Sequence, residues 1–537
     1  MRRPVVSLIL LASITFFLGL GRQAITDSDE AFYAEASREM VESGDWLTPH
    51  FNYEDRWQKP VLYYWLTAGT FLATGPSEAA ARWWSAASGV GLVLLTWAAS
   101  RRFTRRDNTA WVAGAIVATC FGCFAMARMA LPDLPLAFFI TLTIWSALEG
   151  RWALAGLAAG LGFLMKGPLA LVIPALVLLP IWWREKRLGA ILTRRNLSIA
   201  TALFLVIAGP WYAAMTYTHG TPYLESFFVG DNLERFATDR FNDPRPFWFY
   251  APILIGGLLP WSPFLFVMLP SAWEVSRRER RLTPEEWRLL LWIGVPLLFF
   301  TLSIGKQPRY ILPILPPLAI LLGRAITRRA ADPRTRGSIA VAMWATALMY
   351  AALALLLFRA RSLFIAAYPV MSTIAIAVMI GAAIALASIP MLRRWHLVPG
   401  HLAVSAAALM VAVQFGALAG VRPEPVEEMA ALVRAHARGG EGVGTYQVFV
   451  RNLVFYTREK TTELFGEGQA LDFIQAPARN LLVIRASDLS RLEALTGAAT
   501  VRLGEVRYLN TANVRLRTLL TPIPEQDIER VLLVANR

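Results

Sequence analysis

Long apolar runs alternate with short polar segments along most of the chain. Runs such as 5–21, 198–218 and 338–358 extend over roughly 17 to 21 positions without Asp, Glu, Lys or Arg. A helix that crosses the hydrocarbon core of a bilayer needs about 20 such residues, and a soluble domain does not require so many of these runs. The pattern therefore predicts an all-α polytopic membrane protein.

The apolar runs predict about 13 transmembrane helices, whose ends are placed to within about three residues. The predicted spans are 5–21, 82–100, 109–126, 133–149, 152–165, 168–183, 198–218, 248–271, 288–304, 308–324, 338–358, 366–388 and 400–420. The run 61–75 is shorter, so we interpret it as an embedded or interfacial piece of the first long loop. The N-terminal segment lacks an A-x-A cleavage motif, so we interpret it as a retained span.

The placement of charge predicts the orientation of these helices. The net charge of +15 would suggest nucleic-acid binding in a soluble protein. Here Lys and Arg are concentrated in short segments between apolar runs, as in 101–106, 184–195 and 324–336. Cytoplasmic loops of membrane proteins are rich in these residues. We therefore expect a cytoplasmic N-terminus, contacts with membrane lipids and no nucleic-acid partner.

This orientation places three long segments on the outer side of the membrane. Two are the loops 22–81 and 219–247, and the third is the tail 422–537. The tail opens with an amphipathic helix and continues with β-type runs at 443–450, 481–484 and 501–508. We expect a membrane domain over 1–421 and a small outer α/β domain over 422–537.

The loop 22–81 is rich in acidic and aromatic residues, and Asp29, Tyr33 and Ser37 share one face of a predicted helix. One interpretation is a solvated amphipathic helix on the membrane surface. The other follows from charged residues that the topology brings to the same side. These are Asp133, Lys166, Lys306 and Arg309, with Tyr310 beside them. Charged groups at membrane depth are costly and are usually functional.

Carboxylates and cations at the outer membrane surface suit an anionic lipid substrate. Lys and Arg bind phosphate through charge and hydrogen bonds. A carboxylate can accept a proton from an attacking hydroxyl, and cations stabilise the charge that grows on a phosphate leaving group. These are the groups that glycosyl transfer from a polyprenyl phosphate requires.

Several motifs resemble one family in an ordered set over residues 1–330. They are DEAFYAE (29–35), SGDWLTPHFN, QKPVLYYWL, LPDLPLAFF, FLMKGP, DNLERF (231–236), PFWFY, LLPW and KQPRYILPILPPLA. They resemble the ArnT-like transferases of 4-amino-4-deoxy-L-arabinose to lipid A, which are related to protein O-mannosyltransferases and share the GT-C fold. The resemblance implies a bacterial inner-membrane enzyme with a periplasmic tail. It further implies an undecaprenyl-phosphate sugar donor and a lipid A-like or other envelope acceptor.

The resemblance also implies roles for residues that match the family motifs. Asp29 and Asp133 match catalytic acids, with Asp29 as the general base or the group that orients the acceptor. The predicted contacts of the donor phosphate are Lys59, Tyr33, Tyr310 and Arg235. Accessory roles are left open for Glu30, Lys166, Lys306 and Arg309.

The chain departs from the family pattern at three positions. Phe32 replaces an Arg, Gln58 replaces a Glu, and Asn232 replaces a His of the aminoarabinose transferases. The family Glu is linked to a bound metal, so Gln58 leaves a divalent metal in question. The chemistry itself requires no dissociable cofactor. The identity of the sugar is also left open.

Three alternatives remain at this point. The same chemistry on Ser or Thr of a protein would make the chain a protein O-mannosyltransferase. A polytopic transporter is a second alternative, although we find no inverted repeat and the charged residues gather at one face rather than the midplane. The third is a non-catalytic scaffold whose tail binds a partner.

Overall fold

The structure is a computed structural model that describes residues 2–238, 244–269, 281–364, 369–419, 422–497 and 499–537. Parts of the predicted spans 248–271, 366–388 and 400–420, and of the loop 219–247, lie outside these residues. The described chain is mostly helical, with a small sheet domain at the C-terminal end, as the sequence predicts.

The first half of the chain is a series of helices with one small hairpin. The α-helices are α1 Arg2–Phe17, α2 Ser28–Ser43, α3 Leu62–Thr74, α4 Glu78–Thr104, α5 Asp107–Thr119, α6 Phe121–Ala127, α7 Asp133–Leu148, α8 Trp152–Lys166, α9 Leu169–Arg184, α10 Leu188–Ile191, α11 Arg194–Leu224, α12 Arg235–Ala237 and α13 Tyr250–Gly257. The hairpin in the first loop pairs β1 His50–Phe51 with β2 Glu54–Asp55.

The next helices complete the membrane part. The α-helices are α14 Pro284–Leu302, α15 Leu315–Ala331, α16 Arg336–Ala360, α17 Pro369–Met391 and α18 Val398–Val413. A π-helical stretch covers Gln414–Leu418, and 3-10 segments cover Ser262–Met268 and Pro308–Ile314. By length and composition, five helices of the described chain can cross a membrane, or seven if each of two bent pairs is one span. Four further apolar helices are shorter. The total of 13 spans stays a prediction.

Two of the predicted spans are bent rather than continuous. In 109–126 the helices on either side of Cys120 meet at 54°, and in 248–271 the helices Phe247–Gly257 and Ser262–Met268 meet at 109°. The N–H of Phe121 donates to the carbonyl of Leu259 at 2.8 Å. A backbone donor at one break is therefore hydrogen-bonded to a backbone acceptor at the other. Such backbone is tolerated at membrane depth only where protein buries it or where it lines a cavity.

Both of the predicted long loops, 22–81 and 219–247, contain helices. In the first, Asp27 caps α2 by accepting from the N–H groups of residues 29 and 30, and Gly44 ends the helix with φ 71. The short run 61–75 forms α3. In the second, α11 kinks at Gly220 and continues as a π-helical stretch over Glu225–Glu234. Each loop thereby presents a rigid helical face towards the membrane helices.

The C-terminal domain is a five-stranded sheet with helices. Its strands are β3 Gly442–Tyr446, β4 Thr461–Leu464, β5 Asn480–Arg485, β6 Val501–Tyr508 and β7 Glu529–Ala535, in the order β4-β3-β5-β7-β6. Its helices are α19 Pro425–His436, α20 Leu453–Thr457, α21 Glu467–Gln475, α22 Ala486–Thr496, α23 Leu516–Leu520 and α24 Pro524–Asp527. The strand β3 is parallel to β4 and β5, whereas β7 is antiparallel to β5 and β6. Three of the strands were predicted, and β4 and β7 were missed.

The C-terminal domain is fixed to the start of the first loop. The backbone N–H of Ala24 donates to Glu424 at 2.7 Å, and that of Ile25 donates to the Tyr456 hydroxyl at 2.7 Å. Tyr456 in turn donates to Glu78 at 2.9 Å. These bonds join the sheet domain to the segment that leads into α2.

Candidate active site

A cavity of about 430 Å³ lies where the first loop, the membrane helices and the C-terminal domain meet. It has contributions from α2, from the segment between β2 and α3, from the ends of α7 and α8, and from the π-helical stretch. Its lining comprises Asp29, Phe32, Tyr33, Arg56, Gln58, Lys59, Leu131, Asp133, Lys166, Leu169, Asp231, Asn232, Arg235, Gln307, Arg309, Tyr310 and Arg451. All six residues predicted as catalytic or phosphate-binding belong to this set.

Four charged side chains form an alternating chain across the cavity. Arg309 donates to Oδ2 of Asp29, and its Nε lies 3.5 Å from Oδ2 of Asp133. The other oxygen of Asp133 accepts from Lys166 at 2.5 Å. Asp133 begins α7 and Lys166 ends α8, so these two helix termini hold opposite charges together. The arrangement joins both predicted catalytic acids through Arg309.

Asp29 is the more accessible of the two acids. Its side chain is 42% exposed, whereas that of Asp133 is 5% exposed. Partial burial alone would raise the pKa of Asp29, but the charges of Arg309, Lys166 and Arg235 hold this pKa below its ordinary value. Asp29 is therefore ionised at neutral pH, as a group that orients or deprotonates a hydroxyl must be.

A second cluster of charges joins the end of the π-helical stretch to the first loop. Oδ1 of Asp231 lies 3.3 Å from Nζ of Lys59 and 3.1 Å from a terminal nitrogen of Arg235. Arg235 also bonds to Tyr310, whose ring lies 5.4 Å from Nζ of Lys166. Burial lowers the pKa of Lys59 to about 7. The carboxylate of Asp231 acts in the opposite direction, and the neighbouring cations lower this pKa further. The predicted phosphate contacts Lys59, Arg235 and Tyr310 thus share one wall.

Tyr33 lies between the two charged clusters and a group of tyrosines. Its ring stacks on Tyr64 at 5.3 Å and meets Tyr63 edge to face at 5.3 Å. The hydroxyl of Tyr63 bonds to the Ala81 carbonyl at 3.1 Å, which ties α3 to α4. Aromatic packing of this kind fixes the face of α2 that carries Asp29 and Tyr33.

Two of the predicted accessory residues lie outside the cavity lining. Glu30 is buried in an ion pair with Arg82 at 2.6 Å and also accepts from the N–H of Ala130 at 2.8 Å. Lys306 donates to the carbonyl of Ser303 at 2.5 Å, close to the end of α14. Both hold backbone segments in place, and their proposed accessory role has no support from this geometry.

Several cavity residues were not predicted as site residues. Asp231 lies in the DNLERF motif, next to the predicted Arg235, and Arg56 lies three positions before Lys59. Their proximity to motif residues was a usable signal. Arg451 comes from the C-terminal domain, more than 400 positions after α2, and no local pattern connects it with the first loop.

The cavity carries a surplus of positive charge. Six basic side chains and three carboxylates line it, so the lining has an excess of three basic groups. Clefts with one sign of charge concentrate ligands of the opposite sign. The arrangement can therefore bind phosphate while a carboxylate stays available for proton transfer.

The family metal site does not fit the residues present. Gln58 and Asn232 both line the cavity as neutral amides. The side chain of Asn232 donates to the Phe227 carbonyl at 2.7 Å, so its nitrogen is engaged. Within the described ranges, no group of three or more His, Cys, Asp or Glu comes together as a metal site.

A second, apolar cavity of about 460 Å³ lies beside the first. Gln307 and Arg309 line both cavities, so the two adjoin at these residues. Most of its wall comes from the bent helices α6 and α13 and from the segment before α15. A hydrocarbon chain suits such a lining, and a polar head group at its end would reach Arg309.

Comparison with known proteins agrees with this geometry. Residues 6–223 match the family model for dolichyl-phosphate-mannose-protein mannosyltransferases. Over 341 residues the chain is 36% identical to the undecaprenyl phosphate-alpha-4-amino-4-deoxy-L-arabinose arabinosyl transferase of Pseudomonas aeruginosa (strain LESB58), covering 61% of this chain and 60% of that protein. The protein of the same description from Enterobacter sp. (strain 638) is 35% identical, with 61% of each chain covered. The chain thus matches about three fifths of the length of these curated relatives.

Solved structures extend the similarity to the whole chain at the level of the fold. The crystal structure of ArnT from Cupriavidus metallidurans bound to undecaprenyl phosphate has a TM-score of 0.76 at 21% identity and covers 99% of this chain and 98% of that chain. The archaeal oligosaccharyltransferase AglB from Archaeoglobus fulgidus has a TM-score of 0.53 at 14% identity, with 93% and 68% covered. The chain is therefore similar in sequence to aminoarabinose transferases over about three fifths of its length, and it has the fold of the ArnT structure over nearly its whole length.

Proposed function

We propose that the protein transfers a sugar from an undecaprenyl phosphate carrier to a lipid A-like or other envelope acceptor, on the periplasmic side of the bacterial inner membrane. The observation that carries this proposal is the single cavity in which the carboxylates of Asp29 and Asp133 face a surplus of cations. The relatives are named as undecaprenyl phosphate-alpha-4-amino-4-deoxy-L-arabinose arabinosyl transferases, which supports the same donor class. The sugar and the acceptor are left to experiment.

The reaction is a single displacement at the anomeric carbon, with inversion. The acceptor hydroxyl oxygen forms a bond to that carbon, and the bond from the carbon to the carrier phosphate breaks with its electron pair on the phosphate. Lys59, Arg235 and Tyr310 stabilise the charge that grows on the leaving group. The proton of the hydroxyl passes to Asp29, whose Oδ1 has no side-chain partner within the described part of the chain while Oδ2 holds Arg309.

The other residues of the cavity position these groups. Arg309 holds Asp29 as a carboxylate and aims it across the cavity. Asp133 and Lys166 fix Arg309 from the membrane side. The apolar cavity beside them accommodates the hydrocarbon chain of a lipid substrate, so that the reacting atoms stay at the membrane surface.

We also propose 13 spans, a cytoplasmic N-terminus and a periplasmic C-terminal domain. Three ion pairs join the predicted cytoplasmic segments away from the cavity: Arg102 with Glu149, Arg288 with Glu185, and Arg324 with Glu286. Impermeant thiol labelling of an Ala190→Cys and a Glu525→Cys variant tests this orientation. We expect labelling of intact spheroplasts at position 525 only, and the reverse result would overturn it.

The test of function is mass spectrometry of envelope glycans from the host with the gene deleted, restored, and restored as Asp29→Asn. We expect one sugar mass to be lost on deletion and returned by the native gene alone. The matched control is Asp55→Asn, the same change in the same loop at a residue outside the cavity lining, and it should restore the sugar. A change in glycoproteins instead of glycolipids would favour the O-mannosyltransferase alternative. A change in solute uptake with unaltered glycans would contradict the proposal.

A further inference from the structure

The cavity contains a second group of cations that the proposed mechanism does not use. The guanidinium of Arg56 lies over the ring of Phe32 at 3.7 Å, and that of Arg451 lies over the same ring at 4.5 Å. All three residues line the cavity. Two cations thus share one aromatic ring at the place where the C-terminal domain meets α2.

These two cations have one carboxylate, that of Glu463, near both of them. Within the described residues, no carboxylate lies within 4.0 Å of Arg56, whose Nε instead donates to the Tyr64 hydroxyl at 3.3 Å. Oε2 of Glu463 forms an ion pair with Nε of Arg451 at 4.0 Å, which is too long for a hydrogen bond, and the charge of Arg56 also acts on Glu463. The face of Phe32 attracts each guanidinium, but the two like charges repel each other. One carboxylate does not balance two guanidinium charges, and an anion that contacts both groups from the cavity would balance the remaining charge.

The segment that carries Arg451 is built to hold it in place. It lies between β3 and α20, and two of its residues, Gln447 and Phe449, have positive φ values of 55 and 52. Asn452, next to Arg451, donates to the carbonyls of Ile25 and Thr26 at 3.2 and 2.5 Å. Left-handed non-glycine residues are uncommon and are retained where the surroundings fix them. The C-terminal domain is therefore docked in a position that presents Arg451 to the cavity.

We propose that Arg56 and Arg451, placed against Phe32, bind a phosphate group of the acceptor. This inference rests on the proposed function and adds a role for the C-terminal domain, which supplies a specificity-determining residue. The donor phosphate is assigned to the other wall, with Lys59, Arg235 and Tyr310. An acceptor that carries its own phosphate would then be held at the Arg56–Arg451 end while its hydroxyl faces Asp29.

The test uses the purified full-length protein in lipid nanodiscs, with an undecaprenyl-phosphate sugar as donor. The acceptor is bisphosphorylated lipid A, or the same lipid A with its phosphates removed. We expect Arg451→Gln to raise the KM for the bisphosphorylated acceptor by about tenfold or more, the usual effect of losing a charged hydrogen bond. The KM for the donor should stay within about twofold. With the dephosphorylated acceptor, the native protein and the variant should be alike.

Two further variants separate binding from folding. Arg502→Gln removes an exposed Arg of the same domain and should leave both KM values unchanged. Phe32→Leu keeps an apolar side chain but removes the aromatic face. Like Arg451→Gln, it should raise the KM for the bisphosphorylated acceptor. An equal loss with both acceptors, or a rise in the donor KM instead, would overturn the proposal.

A readout without turnover separates this inference from the proposed function. Bisphosphorylated lipid A should raise the melting temperature of the native protein more than that of Arg451→Gln, whereas undecaprenyl phosphate should raise both equally. If no sugar is transferred but lipid A still stabilises the native protein more than Arg451→Gln, only the proposed function is contradicted. Equal shifts of both proteins by lipid A would overturn the acceptor site.

Discussion

Arg309 donates a hydrogen bond to Asp29, a residue 280 positions earlier in the chain. The contact joins the segment before α15 to the first turn of α2 and places a cation between the two predicted catalytic acids. It also sets the charge state of Asp29, since the pKa of this carboxyl is held below its ordinary value despite partial burial. The ion pair makes the pH dependence of the reaction a test of the mechanism.

Arg309→Gln should shift the acid limb of the kcat/KM profile to higher pH. The carboxylate is the active form of Asp29, so a lowered pKa keeps the enzyme active at lower pH. Without Arg309, burial is opposed by Lys166 and Arg235 alone, so this pKa rises and activity falls at a higher pH than in the native protein. The measurement is kcat/KM between pH 4 and 8, with Arg309→Lys as the charge-conserving control. A fall in activity without movement of the limb would show that Asp29 is not the titrating group.

Lys59→Arg should remove a pH dependence from carrier binding. The pKa of Lys59 is lowered to about 7 by burial and neighbouring cations, so its charge is lost as the pH rises through 7. If only charged Lys59 binds phosphate, affinity for undecaprenyl phosphate falls by about tenfold per pH unit above this value. Arg stays charged throughout this range. Binding measured from pH 6 to 9 should therefore decline steeply in the native protein and weakly in the variant. The carrier phosphate titrates in the same way with both proteins, so it cannot cause a difference between them. Parallel binding curves would therefore contradict the role of Lys59 in binding the phosphate.

Glu30→Gln should destabilise the protein without changing its chemistry. The side chains of Glu30 and Arg82 are each 3% exposed, and removal of one partner from such a buried pair costs about 3–5 kcal/mol. We expect a lower melting temperature, with kcat of the folded fraction at 20 °C within about twofold of native. The control is Glu54→Gln, whose pair with Lys460 is largely exposed and contributes less than about 1 kcal/mol. A large loss of kcat at native stability would instead support the accessory role that the sequence left open for Glu30.

The sequence correctly predicted the proximity of charged residues that lie at the ends of predicted spans. Asp133, Lys166 and Arg309 are charged residues at the ends of apolar runs, so counting spans already placed them on one side of the membrane with Asp29. Their proximity is now observed, while their catalytic roles stay predictions. The bend at Cys120 was not predicted: Gly122 lies near it, but the partner of its free N–H, the carbonyl of Leu259, comes from a break in a distant part of the chain. Arg451 was missed for the same reason, since its place depends on domain docking.

Ala125→Trp should impair the use of long-chain lipid substrates. Ala125 lines the apolar cavity beside Arg309, and an indole there would take up space that a hydrocarbon chain needs. We expect a loss of about tenfold or more in kcat/KM with undecaprenyl donors and a smaller loss with a donor that has a short prenyl chain. Ala352→Trp, at an exposed position of α16, is the matched control. An equal loss with both donors would indicate a general packing defect instead.

Gly305→Ala should weaken donor binding through the backbone of Arg235. A Cβ at position 305 would lie 2.3 Å from the carbonyl oxygen of Arg235, so that this backbone must move. Arg235 bonds to both Asp231 and Tyr310 on the phosphate wall, and a displacement there should disturb all three. We expect the donor KM to rise by about tenfold, because a shift of about 1 Å at a binding site has an effect of this order or more.

The matched control for this change is Gly294→Ala within α14, where a Cβ would meet nothing within 4 Å. In a helix interior this substitution should raise stability slightly, since Ala has the higher helix propensity, and it should leave the donor KM unchanged. Donor KM values for the two variants and the native protein, measured at equal folded fractions, decide the matter. An unchanged donor KM in Gly305→Ala would show that the wall formed by Lys59, Arg235 and Tyr310 does not bind the donor phosphate. Lys166 and Arg309 would then be the candidates for binding the leaving group.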